Sequence, residues 1–236
     1  MKKIITAMAI VFFLLSFIAL PGESAAKRYR YWGWVLYDNF NNGVINEDKW
    51  DIDDSSATIS IENGEARFDH DLNKPNDSSW LIFKKYPERI KAVRVTIRVA
   101  TPVFDEENLR ARIAGYVGRD SDGNYLWSQL QVKNMRERVD CWTGAFETPE
   151  SQDFLYEAFF AFFENPIAIV DESFTVTMYF SKFQLKYSAA GLGTIRHGLP
   201  KWLHRSDNVF KGIGTRSNEA EDGTGVVYFD NVYVKY

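Results

Sequence analysis

Val93-Arg94-Val95-Thr96-Ile97-Arg98-Val99 alternates apolar and polar residues without a break, and this period of two decides the fold class. Successive side chains of a strand point to opposite faces, so the stretch predicts a strand with one buried face. Phe174 to Phe180 repeats the pattern, and Val226 to Val234 is strand-like throughout. Turn signals such as Asn63-Gly64 and Asp122-Gly123 separate the runs. The sequence therefore predicts an all-β protein, a two-sheet antiparallel β-sandwich, with a barrel as the alternative.

One segment, from Phe154 to Phe163, is apolar at either the helical or the strand period. Aromatic residues dominate it and Pro166 follows it, which favours a buried strand.

The N-terminus has the organisation of a secretory signal peptide. Two lysines precede an apolar run from Ile4 to Leu20, and the small residues Ser24 and Ala26 suit cleavage after Ala26. The alternative, a membrane anchor, is disfavoured because the run is short and no stop-transfer segment follows. We therefore expect a signal peptide at 1–26, a single domain at 27–236, no membrane span after cleavage, and a secreted or periplasmic location.

The composition limits the function classes and the means of stabilisation. The formal net charge is -4, which gives no indication of nucleic-acid binding. Cys141 is the single cysteine, so no internal disulfide can form. An apolar core, to which an aromatic content of 16% contributes, must hold the domain together.

The stretch from Asp120 to Asn124 is open to two interpretations, a calcium loop or a hairpin tip. A helix-loop-helix calcium loop needs glycine at its sixth position and an acidic ligand at its twelfth. Counted from Asp120, Gly123 is fourth and Gln131 is twelfth. The flanks are strand-like, and Asp, Gly and Asn suit a tight turn, so the hairpin is favoured.

Pairing Tyr116 with Tyr125 across this hairpin separates an apolar face from a polar one. A slip by one residue would mix the two kinds of side chain on both faces. The polar face then carries Arg110, Arg112, Tyr116, Tyr125, Trp127, Gln129 and Gln131. Aromatic rings cover the C–H faces of pyranoses, and planar amide and guanidinium groups bond adjacent hydroxyls, so this face suits sugars. The alternative is an ordinary solvated face.

A basic segment extends from Ser173 to Ser206, which has five Lys or Arg residues and no acidic one. Its glycines and Pro200 predict a loop in its second half. We expect Arg196 and Trp202 from this loop at the rim of the sugar face, which makes an anionic glycan, such as a uronate polymer, a candidate partner. A solvated basic loop with Trp202 in the core is the alternative.

Both ends of the chain resemble one known family. Tyr37-Asp38-Asn39-Phe40-Asn41-Asn42-Gly43, followed by Trp50, is similar to the opening strand of concanavalin A-like lectin and glucanase jelly rolls. Val227 to Val234 resembles their closing strand, and Ser173 to Gly191 the hairpin before it. The resemblance implies a jelly roll that binds glycans on a concave sheet. That sheet corresponds to the one predicted to carry Arg112, Tyr116, Trp127 and Gln129.

The resemblance also implies a structural calcium ion on the opposite, convex side. Its ligands would be the carboxylate of Asp230 in the last strand, a main-chain oxygen at Asp38 near the first strand, and another at Gly64 in the Asn-Gly turn. Oxygen ligands of this kind suit calcium. The alternative is that Asp230 only caps the strand pairing.

Enzymes of the resembled family carry recognisable acids, and these are missing here. Retaining glucanases place Glu-x-Asp-x-Glu on one strand so that two carboxylates meet in the groove, and this spacing is absent. The jelly-roll lyases carry Gln-Ile-His where this chain has Gln129-Leu130-Gln131, without the histidine. We therefore expect a carbohydrate-binding protein with no catalytic residues. The alternatives are a polysaccharide-degrading enzyme whose acids come from loops, and an envelope structural or adhesion module.

Overall fold

The structure is a computed structural model that describes residues 33–100, 109–133, 138–149, 151, 153–164, 171–181, 183–201, 203–204, 206–218 and 223–236. All of these belong to one compact unit, Trp32–Tyr236. They form fifteen strands and one 3₁₀ turn at Pro87–Arg89, with no α-helix in this part of the chain. No helix that could cross a membrane occurs among them. The predicted signal peptide lies outside the described residues and stays a prediction.

The strands are β1 (Val35–Asp38), β2 (Trp50–Asp53), β3 (Ala57–Glu62), β4 (Glu65–Asp71), β5 (Ser78–Phe83), β6 (Ala92–Val99), β7 (Leu109–Arg119), β8 (Tyr125–Lys133), β9 (Arg138–Phe146), β10 (Tyr156–Phe162), β11 (Ser173–Phe180), β12 (Gln184–Ala189), β13 (Gly193–Gly198), β14 (Lys211–Ser217) and β15 (Thr224–Lys235). Sheet A has the order β13-β12-β11-β6-β15-β4-β3, and β1 also pairs with β15. Sheet B has the order β10-β9-β8-β7-β14-β5-β2. All of these pairings are antiparallel, which confirms the predicted two-sheet sandwich.

The alternation in β6 works as predicted from its sequence. Val93, Val95 and Ile97 are fully buried between the sheets, whereas Arg94 and Arg98 lie on the outer side of sheet A. Burying each of these aliphatic side chains contributes about 2 kcal/mol. The strands predicted around Phe174–Phe180 and Val226–Val234 are present as β11 and β15.

The two ends of the chain meet in sheet A, as expected from the resemblance. Val35 pairs with Val234, and Asp38 pairs with Val232. The indole of Trp50 packs edge-on against the ring of Tyr37, with their centroids 4.9 Å apart, and its Nε1 donates to Asp38 Oδ2 at 2.8 Å. This buried corner holds the opening strand against the core.

The segment from Phe154 to Phe163 forms a strand, but the expectation that it is buried is wrong. It contains β10, the edge strand of sheet B, and Phe162 exposes 52% of its surface. Phe163, just after β10, is buried in the core, and Phe159 and Ala161 pack against it. Because sheet A covers just one side of β10, every second aromatic residue remains in solvent. Aromatic residues on both sides of the strand hide this difference in the sequence.

The β7–β8 hairpin has the predicted faces but a different register. Tyr116 pairs with Trp127 instead of Tyr125, and a bulge lies at Val117. At the tip, Asp120 Oδ1 accepts hydrogen bonds from the main-chain N–H groups of Asp122 and Asn124, both at 2.9 Å. A register error of two residues keeps each side chain on its own face, so the predicted polar face survives the error.

Candidate functional site

The outer face of sheet B, which is turned away from sheet A, collects the polar side chains of five adjacent strands. Cross-strand pairing aligns one row, called here the central row, made of Asp140, Gln131, Arg112, Gly214 and Trp80. The neighbouring row, called the cationic row, is made of Arg138, Lys133, Arg110, Arg216 and Ser78. The pairing register alone therefore brings four cations into one line.

Trp127 belongs to a packed aromatic cluster on this face. Its ring centroid lies 5.0 Å from that of Tyr116, 5.2 Å from that of Phe210 and 5.8 Å from that of Trp80. Trp127 is partly exposed, whereas Tyr116 is buried and its hydroxyl donates to the Pro149 carbonyl. The predicted sugar platform at Trp127 is thus also a structural element of the face.

The ring of Trp80 lies directly on the sheet because glycine stands beneath it. A Cβ on Gly214 would come within 2.6 Å of Trp80 Cε3. Any larger residue at that position would displace the indole. Sequence analysis did not single out Trp80, although the alternation of β5 already places it opposite the buried Leu81.

Trp142 on β9 is a second partly exposed indole that sequence analysis missed. Its ring lies across Gly144, where a Cβ would come within 2.1 Å of Trp142 Cη2, and Gly144 pairs with Trp127. The Nε1 of Trp142 donates to Glu157 Oε2 at 2.8 Å. The two indoles therefore occupy adjacent positions on the outer face.

A chain of amide hydrogen bonds runs along the central part of the face. Arg112 Nη1 donates to Gln129 Oε1 at 3.3 Å, Gln129 Nε2 donates to Gln131 Oε1 at 3.0 Å, and Gln131 Nε2 donates to Asp140 Oδ1. Arg112 exposes only 2% of its surface and Gln129 only 5%. Both side chains are therefore buried in a network whose orientation is set by its neighbours, and the role predicted for them in sugar binding stays a prediction.

Asp140 is the single carboxylate on β5, β7, β8, β9 and β14, all of which the structure describes in full. It is fully buried, and its Oδ2 lies 2.8 Å from Lys133 Nζ and 3.5 Å from Arg138 Nε. The carboxylate is committed to these two cations.

The basic segment does not supply the predicted rim. Residues Gly193–Gly198 form β13 rather than a loop, and β13 is the edge strand of sheet A. Ile195 packs against the core and His197 stacks on Phe159, so the alternating Arg196 points away from the interior. Arg196 is thus on the opposite side of the sandwich from Trp127. Trp202 lies outside the described residues.

The positions predicted to hold calcium meet at one corner of sheet A. Asp38 pairs beside the bulge that follows Asp230, and Asp230 neighbours Glu65 next to the Gly64 turn. Gly64 has a φ of 83°, and a Cβ there would come within 2.7 Å of Asn41 Oδ1.

The donor set at this corner fits an oxygen-ligated cation. Burial and the nearby Glu65 carboxylate raise the pKa of Asp230, a penalty that a bound cation would relieve. Its two oxygens accept hydrogen bonds from the main-chain N–H and the side-chain amide of Asn231. These bonds agree with the alternative that Asp230 caps the strand pairing. The Asp38 carboxylate is occupied by Trp50 and Lys49, so only its main-chain oxygen is a possible ligand. No cluster of three or more His, Cys, Asp or Glu side chains suited to a metal occurs among the described residues.

Comparison with solved structures finds a similar architecture in several proteins whose names describe enzymes that act on glycans. The β-glucanase of Bacillus licheniformis superposes with a TM-score of 0.59 at 8% identity, covering 86% of this chain and 98% of that one. An endo-β-galactosidase from Clostridium perfringens that releases GlcNAcα1-4Gal gives a TM-score of 0.60 at 14% identity, covering 92% of this chain and 64% of that one. A glycoside hydrolase family 16 endo-glucanase from Bacteroides ovatus gives 0.55 at 11% identity, covering 84% and 98%.

These likenesses show that the fold is the concanavalin A-like jelly roll of the glucanases, as the chain ends implied. No protein-family model and no curated protein matches the sequence.

Proposed function

We propose that this is an extracytoplasmic carbohydrate-binding protein that holds a polysaccharide on the outer face of sheet B without cleaving it. The predicted signal peptide supports export. The solved structures of similar fold are named as glucanases and a galactosidase, which act on carbohydrate chains.

The observation that carries this proposal is the chemistry of β8. Its outward side chains at alternate positions are Gln129, Gln131 and Lys133, the spacing at which the resembled glucanases carry their acids. Retaining hydrolysis needs two carboxylates about 5 Å apart, one as nucleophile and one as proton donor. Neutral amides can donate and accept hydrogen bonds but perform neither task. Asp140, the single carboxylate on β5, β7, β8, β9 and β14, is held by Lys133.

Sugar binding would use the two partly exposed indoles. Trp127 Nε1 donates to Gln129 Oε1 at 3.3 Å, and Trp142 Nε1 donates to Glu157, so both rings are held in place before any ligand arrives. Fixed rings lose little conformational entropy on binding, which favours affinity. Ring faces suit the C–H faces of pyranoses, and the polar edges supply orientation.

A second candidate is a polysaccharide-degrading enzyme, which the glycoside hydrolases among the similar structures favour. Its acids would have to come from outside the five central strands of sheet B.

One experiment separates the two candidates. Purified protein is incubated with a panel of polysaccharides, and both retention of the glycan and release of reducing or unsaturated ends are scored. Retention without release is expected, and new chain ends would establish the enzyme instead.

The location of the binding face is tested by Trp142→Ala. Loss of one stacking ring should weaken glycan binding by about 2 kcal/mol, read by isothermal titration calorimetry. Trp34→Ala is the matched control, because Trp34 is a partly exposed indole of sheet A that lies under Arg94. Equal losses in both variants would rule out the outer face of sheet B as the binding surface.

We also propose a structural calcium ion at the corner of Asp38, Gly64 and Asp230. Main-chain oxygens of Asp38 and Gly64 and the carboxylate of Asp230 would hold it. Its contribution would be to stability, since the corner lies on sheet A and not on the glycan face.

A further inference from the structure

Arg112 is a buried cation whose hydrogen-bond partners are all uncharged. Its Nη2 donates to Ser78 Oγ at 2.7 Å and to the Thr215 carbonyl at 3.1 Å, and its Nη1 donates to Gln129 Oε1. The guanidinium carbon lies 4.2 Å from the centroid of the Trp80 ring. Its Nε is buried and makes no hydrogen bond. A charge held in this way lacks the counter-charge that burial normally requires.

Arg216 lies beside it, one row away on β14. Its Nη2 donates to Asn76 Oδ1 at 3.0 Å, again a neutral acceptor, and its buried Nε makes no hydrogen bond. Asp77 is the acidic residue whose charge acts on Arg216. It is exposed and forms no ion pair with Arg216 in the described part of the chain. Arg216 is partly exposed, so a ligand can approach from its side.

Neighbouring guanidinium charges destabilise both groups. Burial lowers the pKa of Arg112 well below its ordinary value, and the charges of Arg216 and Arg110 lower it further. Burial followed by the charge of Arg110 also lowers the pKa of Arg216. Arginine nevertheless stays protonated in proteins, so the repulsion and the lost hydration remain as an energetic cost. An anion bound at the exposed side of Arg216 would offset the repulsion.

Resting on the glycan face proposed above, we propose that Arg216, backed by the buried charge of Arg112, binds an acidic substituent of the glycan, a carboxylate or a sulfate ester. Guanidinium groups bind the oxygens of such groups in pairs, with short charge-assisted hydrogen bonds.

The test compares three polysaccharides by affinity electrophoresis and calorimetry on the purified protein: polygalacturonate for carboxylates, a carrageenan for sulfate esters, and a neutral mixed-linkage β-glucan. Arg216→Gln should raise the Kd for the acidic polymer about tenfold or more, the usual effect of losing a hydrogen bond to a charged group, and leave neutral binding unchanged. The loss should shrink at high salt, because the interaction is partly screened. Whichever acidic polymer responds identifies the substituent.

Arg94→Gln is the matched control, since Arg94 lies on sheet A between the rings of Trp34 and Tyr233, at 4.6 and 4.5 Å from their centroids. Equal losses in Arg94→Gln and Arg216→Gln would show general charge attraction and overturn the site. Arg112→Gln provides a second readout: acidic polymer should raise the melting temperature of the native protein but not that of this variant. If Arg112→Gln does not fold, Arg216→Gln, at a partly exposed position, still decides the question.

Failure of this inference is distinct from failure of the glycan face. If Trp142→Ala weakens binding while Arg216→Gln alters no affinity, the acidic subsite is wrong and the face stands. If no polymer is retained at all, both proposals fall.

Discussion

The outer faces of the two sheets both carry arginines over aromatic rings, but they balance the charge differently. On sheet A, Arg67 lies 2.7 Å from both Glu62 and Asp69, and Arg98 pairs with Glu65 at 2.5 Å. On sheet B, Arg112 and Arg216 bond only amides, a hydroxyl and a carbonyl. Arg67 and Arg98 therefore have acidic partners on their own sheet, whereas Arg112 and Arg216 have none among the described residues.

The arginines of the two faces also differ in their contribution to stability. The pairs of sheet A are partly exposed, and such pairs typically contribute less than about 1 kcal/mol. The guanidinium of Arg112 is buried without a counter-charge, which opposes folding. Proteins that break a local rule in this way usually do so at functional sites. The outer face of sheet B is therefore the first surface to test for a ligand.

The largest expected effect comes from the buried ion pair of sheet B between Asp140 and Lys133. Asp140→Asn removes a fully buried carboxylate from the buried Lys133, and loss of one partner of such a pair costs about 4 kcal/mol. Glu65→Gln on sheet A removes a partly exposed partner of Arg98 and should cost less than about 1 kcal/mol. Urea denaturation measures both free energies of unfolding. Similar losses would mean that the two faces do not differ as described.

The second prediction concerns the pH dependence of stability. It depends on His70, which lies at the contact between the two sheets near Arg112. His70 of β4 is fully buried, and its ring contacts Thr215 of β14 at 2.9 Å and accepts from Ser217 N at 3.1 Å. Burial, followed by the charge of Arg112, lowers the pKa of His70 from 6.5 to about 4. Between those values the unfolded chain binds more protons than the folded one. Stability should therefore fall by about 3 kcal/mol as the pH drops through this window.

His70→Gln should remove this slope, measured by urea denaturation at several pH values, whereas His204→Gln, at an exposed position, should preserve it. In Arg112→Gln the pKa of His70, followed by NMR, should rise, because one cause of its depression is gone. An unchanged pKa would mean that the charge of Arg112 has no electrostatic effect on His70.

The smallest of the three effects concerns the calcium corner of sheet A. A ligand that binds only the folded state stabilises it by mass action, by about 2.7 kcal/mol at a hundredfold excess over Kd. Chelation should therefore lower the melting temperature, and Asp230→Ala should abolish that response. The affinity of the glycan face for acidic polysaccharides should not depend on calcium. A melting curve that is identical with and without chelator would remove the proposed ion.

Much of the fold was predictable because burial repeats with the period of the strand. The alternation in β6 and β11 and the strand-like closing stretch required no knowledge of the partners they pair with. The polar face of β7 and β8 was predictable for the same reason, and it survived a register error of two residues. The bulge at Val117 that shifts the register leaves no mark in the local pattern.

Where local pattern was uninformative, the predictions failed. Aromatic residues on both sides of β10 concealed which ones face solvent, and the glycines around Arg196 read as a loop although they flank an edge strand. Nothing local to Arg196 indicates which of two sheets its strand joins. Trp142 and Arg216 were missed because their relevance depends on neighbours that are distant in the sequence.

The sequence by itself determined that this protein is an all-β sandwich with apolar and polar faces, because side-chain direction in a strand is a local property. It also determined that the Glu-x-Asp-x-Glu spacing of the retaining glucanases is absent. Only the tertiary structure decided that Arg112, Gln129 and Asp140 share one buried network, and that Arg216 lies beside Arg112. Those facts depend on strand order and register, which are set by contacts between segments about a hundred residues apart, as between Arg112 and Gly214.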